Sequence, residues 1–147
     1  MRISTRVRYG TRALLELEYG ENLPPKSINQ IVTEQKLAKK YLEKLMNKLK
    51  KGGIIKSIRG KGGGYKLCCP PEKINLKDVY LALEGEKYLV ECLDEAYDCP
   101  IRDECVTLDV WAKINNAFFE IIKQYTVADL KKEKKIKESE RANMFYI

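Results

Sequence analysis

The segment from residue 27 to residue 67 constrains the fold more than any other part of this sequence. Ser27 is a natural N-cap, and the apolar residues after it recur at helical spacing, which predicts a short helix. A second helical stripe follows after Leu37 and should end at Gly52 and Gly53, because glycine enters the left-handed region at low cost. This stripe consists of Tyr41, Leu42, Leu45, Met46 and Leu49.

A β-hairpin is predicted directly after these two helices. Strand character begins at Ile54 and Ile55, returns at Tyr65 and is interrupted by a tip that is rich in glycine. The tip contains Gly60, Gly62, Gly63 and Gly64, with the cations Arg59 and Lys61 beside them. It is not a phosphate-binding P-loop, since no Gly-Lys-Ser/Thr follows. Helix, turn, helix and cationic hairpin in this order are typical of a winged helix-turn-helix, which binds DNA.

The distribution of charge supports a nucleic-acid partner. Residues 1–67 contain 16 Lys or Arg and 5 Asp or Glu, a net charge of +11, whereas residues 68–147 carry −4. Duplex DNA favours such a basic surface, because each neutralised phosphate releases counterions. Lysines that serve only solubility remain the simpler alternative, but they would not explain why the charge is concentrated in one half.

Length and composition limit the remaining possibilities. A chain of 147 residues accommodates one domain, or a small domain with an oligomerisation element. Its mean hydropathy is −0.43, and no apolar run approaches the roughly 20 residues that span a bilayer. The segment MRISTRVRY lacks the apolar region of a signal peptide. We therefore expect a cytoplasmic protein without a membrane partner.

The second helix of the motif supplies the candidate DNA contacts. Its apolar stripe points inward, which leaves its polar side chains, including Lys48, to face outward. The N-terminal part of a recognition helix meets base edges. Glu43 is expected either to accept from cytosine N4 or to pair with Lys39 or Lys40. The candidate residues are Lys39, Lys40, Tyr41, Glu43 and Lys44 on the helix, and Arg59 and Lys61 on the hairpin tip.

An acidic segment with three cysteines is the second chemical signal. Residues 86–109 contain eight acids and two bases, and Cys92, Cys99 and Cys105 are separated by six and five residues. Thiolates are soft ligands, and the wide intervals differ from the short Cys-x-x-Cys pairs of structural zinc sites. An iron–sulfur cluster is therefore favoured, while free or redox-active thiols remain the alternative. Cys68 and Cys69 are expected to be buried.

An apolar helical segment at about 104–124 is long for a helix attached to so small a domain. An apolar stripe of this size favours packing on the same helix of a second copy, and packing on its own domain is the alternative. The expected first helix runs over 4–20, and Asn75 should cap a helix that ends at Gly85. The predicted divisions are a DNA-binding domain (1–85), an acidic cysteine loop (86–105), a dimerisation helix (106–130) and a charged tail (131–147).

The sequence resembles the IscR-like family of winged-helix regulators. The resemblance is carried by MRISTRVRYGTRALLEL, by YLEKLMNKLKKGGIIKSIRGKGGGYKL and by the three cysteines of the acidic loop. It implies a mainly α fold with a small β-hairpin wing, in a homodimeric bacterial repressor that binds a pseudo-palindromic operator and is not an enzyme. NsrR-like and CymR-like regulators are relatives, and the CymR-like ones have no cluster.

The resemblance also implies a cofactor. Cys92, Cys99 and Cys105 would hold an iron–sulfur cluster, of the 2Fe-2S type in IscR-like members. The histidine ligand of that type falls on Leu108 here, and the acidic ligand of the NsrR type falls on Arg8. Asp109 is the first candidate for the fourth ligand, and Asp103 and Glu104 are the alternatives nearby. The alternative is a cofactor-free regulator that is controlled by a partner protein, a metabolite or thiol oxidation. A small redox enzyme is disfavoured, because the chain has no histidine and no nucleophile–base pair.

Overall fold

The computed structural model describes residues 3–85 and 88–145 and has the mainly helical fold with a hairpin that the sequence predicts. The described residues do not include the predicted boundaries at residues 1, 86 and 147. They also leave out three of the charged residues counted above, Arg2, Glu86 and Lys87. The helices are α1 (Thr5–Leu14), α2 (Ile28–Gln35), α3 (Lys39–Lys51), α4 (Leu76–Glu84), α5 (Leu108–Lys123) and α6 (Val127–Met144), and the strands are β1 (Ile55–Ile58) and β2 (Gly64–Leu67). Short 3-10 turns occur at Pro71–Lys73, Glu91–Leu93 and Arg102–Glu104.

Helix α2 begins at the predicted cap and ends in an unusual residue. The Ser27 hydroxyl accepts a hydrogen bond from the Gln30 amide, and the Gln30 side chain accepts one from the Ser27 amide, which completes a capping box. Lys36 closes the helix at a φ of 53°, in the left-handed region that residues other than glycine seldom adopt. This turn redirects the chain into α3.

Strands β1 and β2 form an antiparallel pair whose two faces differ. Ile55 lies opposite Leu67, and both are buried in the core, while Lys56 lies opposite Lys66 on the other face. The amide of Lys26 donates to the Tyr65 carbonyl at 3.1 Å, and the Tyr65 amide donates back at 2.8 Å. The loop before α2 therefore extends the hairpin on its β2 side.

Two glycines allow α4 to pack closely on the helices before it. A Cβ atom on Gly10 would lie 2.6 Å from the Leu83 side chain, and one on Gly52 would lie 2.5 Å from the Ala82 Cβ. Gly52 is thus needed for the close packing of α3 on α4, whereas Gly53 has the positive φ, 72°, that ends α3. The buried core joins α1, α2, α3, α4 and the hairpin.

Helix α1 is shorter than predicted. It ends at Leu14 rather than near Gly20, because the chain tightens into 3-10-type bonds from Glu16 to Ala13 and from Leu17 to Leu14. The tighter turn buries Leu17 and leaves the Glu18 carbonyl free to accept from the Leu67 amide, at 3.0 Å. Tertiary contacts therefore override the helical periodicity after Leu14.

The C-terminal part contains two helices. The predicted helix at 104–124 is α5, and the segment 106–130 includes a break at Gln124–Thr126 before α6 begins. Thr126 and Asp129 form a capping box, and α6 continues to Met144 through the charged segment. Tyr80 of α4 packs edge-on against Phe118 and Phe119, with ring centroids 5.5 and 5.7 Å apart. None of the helices in the described residues is long and apolar enough to cross a membrane.

Candidate nucleic-acid interface and cysteine loop

Helix α3 presents cations at its N-terminal end. Lys39, Lys40 and Lys44 are exposed, as the sequence predicts, and no side chain caps the first turn of the helix. Lys48 was expected to face outward with them, and this is wrong. It is half-buried, and its ammonium group donates to the Leu83 carbonyl near the end of α4, at 2.8 Å.

Tyr41 joins the start of α3 to α1. Its ring packs edge-on against Tyr9, with centroids 6.3 Å apart, and its hydroxyl lies 3.5 Å from that of Thr5. The guanidinium groups of Arg8 and Arg12 lie 5.7 and 5.5 Å from the Tyr9 ring centroid. Arg8 is exposed and sits beside the recognition helix, so it joins the cationic surface. Arg8 is not among the candidate residues predicted from the sequence, although the basic pattern of α1 was a usable signal.

Glu43 lies where the recognition helix meets the hairpin. Burial, and then the negative charge of Glu43, raise the pKa of the Tyr65 hydroxyl. Glu43 is half-buried, and among the described residues it makes no ion pair within 4.0 Å with Lys39 or Lys40. Of the two expected roles, the helix-surface salt bridge is therefore not formed.

The hairpin tip, residues 59–63, presents the other two candidate DNA contacts. Arg59 and Lys61 are exposed, and the chain turns through Gly60 and Gly62, whose φ values are 100° and 78°. The Gly63 amide donates to the Gly60 carbonyl at 3.0 Å. A narrow tip with two cations is a shape that enters a minor groove or contacts phosphates.

The cysteine loop carries three free thiols between α4 and α5. Cys92 lies in the 3-10 turn Glu91–Leu93, Cys99 precedes Pro100, and Cys105 ends the turn Arg102–Glu104. All three are half-buried. In residues 3–85 and 88–145, no three Cys, Asp or Glu side chains are grouped so that they could hold a metal ion.

Cys105 has the most distinctive environment of the three. Its sulfur lies 3.4 Å from the Thr107 hydroxyl, and hydrogen bonds from the side chain and backbone of Thr107 lower the pKa of the thiol. Slight burial and the negative charge of Asp109 act in the opposite direction. Asp109, the candidate fourth ligand, is exposed in the first turn of α5, four residues after Cys105 in the chain.

The donor set fits an iron–sulfur cluster by its chemistry, although the described conformation holds the sulfurs apart. Three accessible thiols on one loop are suitable ligands for iron. The Leu89 amide anchors the start of the loop by donating to the side chain of buried Asn115, at 3.2 Å. Between Leu89 and α5 no residue is fully buried, so the loop can rearrange at low cost.

The cysteine pair after β2 differs from its prediction. Cys69 is half-buried against the core, but Cys68 is exposed. The alternation of the strand continues past Leu67, so that Cys68 follows Lys66 onto the outer face of the hairpin. The expected burial of Cys68 is therefore wrong.

The end of α4, where the cysteine loop begins, is held by the DNA-binding elements. Glu84 accepts hydrogen bonds from the Ser4 hydroxyl and from Arg6, whose Nη2 lies 3.0 Å from Oε2. Lys48 of the recognition helix caps the neighbouring carbonyl of Leu83. Helices α1 and α3 thus both contact the last turn of α4.

One face of α5 carries an unpaired apolar stripe. Val110, Ile114, Ala117 and Ile121 follow each other at helical spacing and are exposed, with Trp111 beside them. Val106, just before the helix, is 89% exposed. The opposite side of α5 packs on Tyr80 through Phe118 and Phe119, so the helix has both an inner face and a free apolar face.

Comparison with known proteins supports this architecture. Residues 3–133 match the Rrf2 family, described as iron-dependent transcriptional regulators. Protein rrf2 of Nitratidesulfovibrio vulgaris is 39% identical over 133 residues, which cover 90% of this chain and 89% of that protein.

Two solved structures share the fold. CymR, titled the global cysteine regulator of B. subtilis, is 33% identical, with a TM-score of 0.70 over 90% of this chain and 98% of that one. T. potens IscR is 32% identical, with a TM-score of 0.71 over 91% of this chain and 88% of that one. The fold agrees with these relatives, and the chain belongs to the Rrf2 family of DNA-binding transcriptional regulators.

Proposed function

We propose that this regulator is a homodimer whose affinity for its operator is set by an iron–sulfur cluster on Cys92, Cys99 and Cys105. The observation that carries the proposal is the placement of these three accessible thiols on one loop. That loop begins at the end of α4, which both α1 and α3 contact. A change in the loop therefore has a direct physical path to the recognition helix.

The DNA contacts follow from the cationic surface. The major groove is contacted by the start of α3, through Lys39, Lys40, Tyr41, Glu43 and Lys44. The hairpin tip contacts the DNA backbone or the minor groove through Arg59 and Lys61. Exposed Arg8 adds a phosphate contact from α1. Glu43 makes no ion pair among the described residues, which favours its role as an acceptor from cytosine N4.

Dimerisation uses the apolar stripe on α5. A stripe of this size is shielded most simply by the same stripe on a second copy, since an isologous contact is self-complementary. The two recognition helices then meet two half-sites of a pseudo-palindrome in the bacterial cytoplasm. Occupation of such an operator makes repression the expected outcome.

A 2Fe-2S cluster, the type that the IscR resemblance suggests, would supply a redox-sensitive group to the loop. The three cysteines would hold it, with Asp109, whose charge acts on Cys105, as the fourth ligand. A shift of the loop would move α5 through the hydrogen bond between the Leu89 amide and Asn115. A shift at the end of α4 would move α3 through the hydrogen bond between Lys48 and the Leu83 carbonyl.

Anaerobic reconstitution with iron and sulfide tests the ligand assignment. We expect a visible chromophore that is lost in Cys92→Ala, Cys99→Ala and Cys105→Ala, and that is kept in Cys68→Ala and Cys69→Ala, the matched controls just after β2. Absence of bound iron and sulfide, or a full chromophore in Cys92→Ala, would refute this assignment.

The relay through α4 is tested by Lys48→Met, which keeps the aliphatic stem and removes the hydrogen bond to the Leu83 carbonyl. The variant should keep the chromophore, while its operator affinity should no longer differ between the reconstituted and apo forms. An unchanged difference would show that the loop acts by another route.

A cofactor-free regulator is the second candidate, because the described loop does not group its thiols around a metal. In that case a partner protein, a metabolite or oxidation of a loop thiol would control DNA binding. Operator affinity that responds to a mild thiol oxidant, in protein shown to contain no iron, would favour this alternative.

A further inference from the structure

The outer face of the hairpin borders a second site, which is separate from both the DNA surface and the cysteine loop. A cleft of about 630 Å³ lies between this face and the loop 19–25. Lys56, Lys66 and Cys68 line it from the hairpin, and Tyr19, Leu23 and Ile58 contribute apolar surface. All three of these apolar side chains are exposed.

The two lysines of this cleft are an unfavourable pair. They lie directly opposite each other in the strand register, on the same face of the sheet, where like charges repel. Lys66 is only 7% exposed, so its charge is largely removed from water. Its ammonium group donates to the Gly20 carbonyl, which satisfies a hydrogen bond and does not neutralise the charge.

No described carboxylate compensates these charges. Glu21 also lines the cleft, but it lies in no ion pair within 4.0 Å with either lysine in the part of the chain that the structure describes. A buried cation beside a second cation is stabilised most directly by an anion that contacts both. A phosphate in duplex DNA is poorly suited to this, because Lys66 lies too deep for the backbone to reach.

We propose that this cleft binds a small organic carboxylate. The carboxylate group would accept hydrogen bonds from Lys56 and Lys66, and a short apolar body would cover Tyr19, Leu23 and Ile58. The site does not depend on the cysteine loop, so it would operate with or without a cofactor there. Since β1 leads from Lys56 directly to Arg59, the ligand would sit at the base of the DNA-binding tip.

Hexanoate is a suitable probe, with hexanol as its neutral counterpart and sodium chloride as the ionic-strength control. Full-length protein should melt at a higher temperature in hexanoate than in either control. Hexanoate should also slow the alkylation of Cys68 by a maleimide, followed by peptide mass spectrometry, and should leave the rate at Cys105 unchanged. This second measurement locates the ligand in the cleft.

Lys66→Met keeps the aliphatic stem and removes the charge. We expect it to weaken hexanoate binding roughly tenfold or more, because a charge-assisted hydrogen bond is lost. Lys56→Met, at an exposed position, should also weaken hexanoate binding. It replaces Lys66→Met as the test if that variant does not fold. Glu21→Gln removes a nearby negative charge and should strengthen binding, whereas Lys51→Met, an exposed lysine outside the cleft, should have no effect.

The proposal is overturned if hexanoate and sodium chloride have equal effects, or if Lys66→Met and Lys56→Met both bind hexanoate like the native chain. It is also overturned if hexanoate does not bind and Lys66→Met instead loses affinity for non-specific duplex DNA. That result would identify the two lysines as phosphate contacts.

Discussion

The ammonium group of Lys134 lies 2.7 Å from Oε1 of Glu16 and joins the last helix to the DNA-binding domain. The Glu16 side chain is only 8% exposed and also accepts a hydrogen bond from Gln35 of α2. Gln35 in turn accepts from Arg12 of α1, at 2.9 Å. One carboxylate therefore connects α6 with the first two helices.

Replacement of Glu16 by Gln should destabilise the protein by roughly 1–3 kcal/mol at pH 7, because Lys134 and Gln35 lose a charged acceptor. Urea unfolding followed by circular dichroism measures this change. Glu18→Gln is the matched control, since exposed Glu18 pairs with Lys131 at 3.0 Å and surface pairs contribute little. Equal stability of Glu16→Gln and the native chain would contradict the role of this contact.

The same contact should make stability depend on pH. Burial alone would raise the pKa of Glu16, but the hydrogen bond from Lys134 and the positive charges of Lys134 and Lys26 hold it below its ordinary value of 4.5. A lowered folded-state pKa contributes stability above 4.5, and this contribution is lost as the pH falls through the folded-state value. The difference between the native chain and Glu16→Gln should therefore shrink below pH 4.5.

Charge reversal of Arg59 to Glu should weaken binding to every DNA sequence, because the tip contacts the backbone or the groove shape rather than base edges. Fluorescence anisotropy over a range of salt concentrations should show a log–log slope reduced by about 1. Lys132→Glu, the same change at an exposed position of α6, should leave the slope unchanged. A native slope near zero would exclude the proposed phosphate contacts.

Glu43→Gln should relax discrimination at one operator position by about 1–3 kcal/mol if Glu43 accepts from cytosine N4. Binding to operators with single base-pair changes measures this, and affinity for non-specific duplex should stay equal or rise, since a negative charge is removed. An unchanged preference at all positions would instead assign Glu43 to the junction of helix and wing near Tyr65.

Ile114→Glu should dissociate the dimer. Ile114 lies in the apolar stripe of α5 and is 43% exposed, so the protomer should fold while the two carboxylates repel across an isologous contact. Sedimentation velocity at micromolar concentration should show a monomer. Asn116→Glu introduces the same charge at an exposed position outside the stripe and should remain dimeric. A native protein that sediments as a monomer would remove the basis for this prediction.

Local chemistry determined much of the fold, and these parts could be read from the sequence. The Ser27 cap, the helical stripe of α3, the glycine tip and the Asn75 cap all act within a few residues of themselves, and the structure confirms them. The resemblance also identified the family. The roles of the three loop cysteines stay predictions, because spacing indicates ligand chemistry without placing the sulfurs.

Tertiary packing decided the rest, because it depends on residues that are distant in the chain. Helix α1 stops at Leu14 since the Glu18 carbonyl accepts from the Leu67 amide, and Lys48 donates to the Leu83 carbonyl of α4 instead of facing outward. Gly52 is required by the approach of Ala82, which no helix-ending rule anticipates. Likewise, Lys56 and Lys66 become one site only when the two strands pair in register.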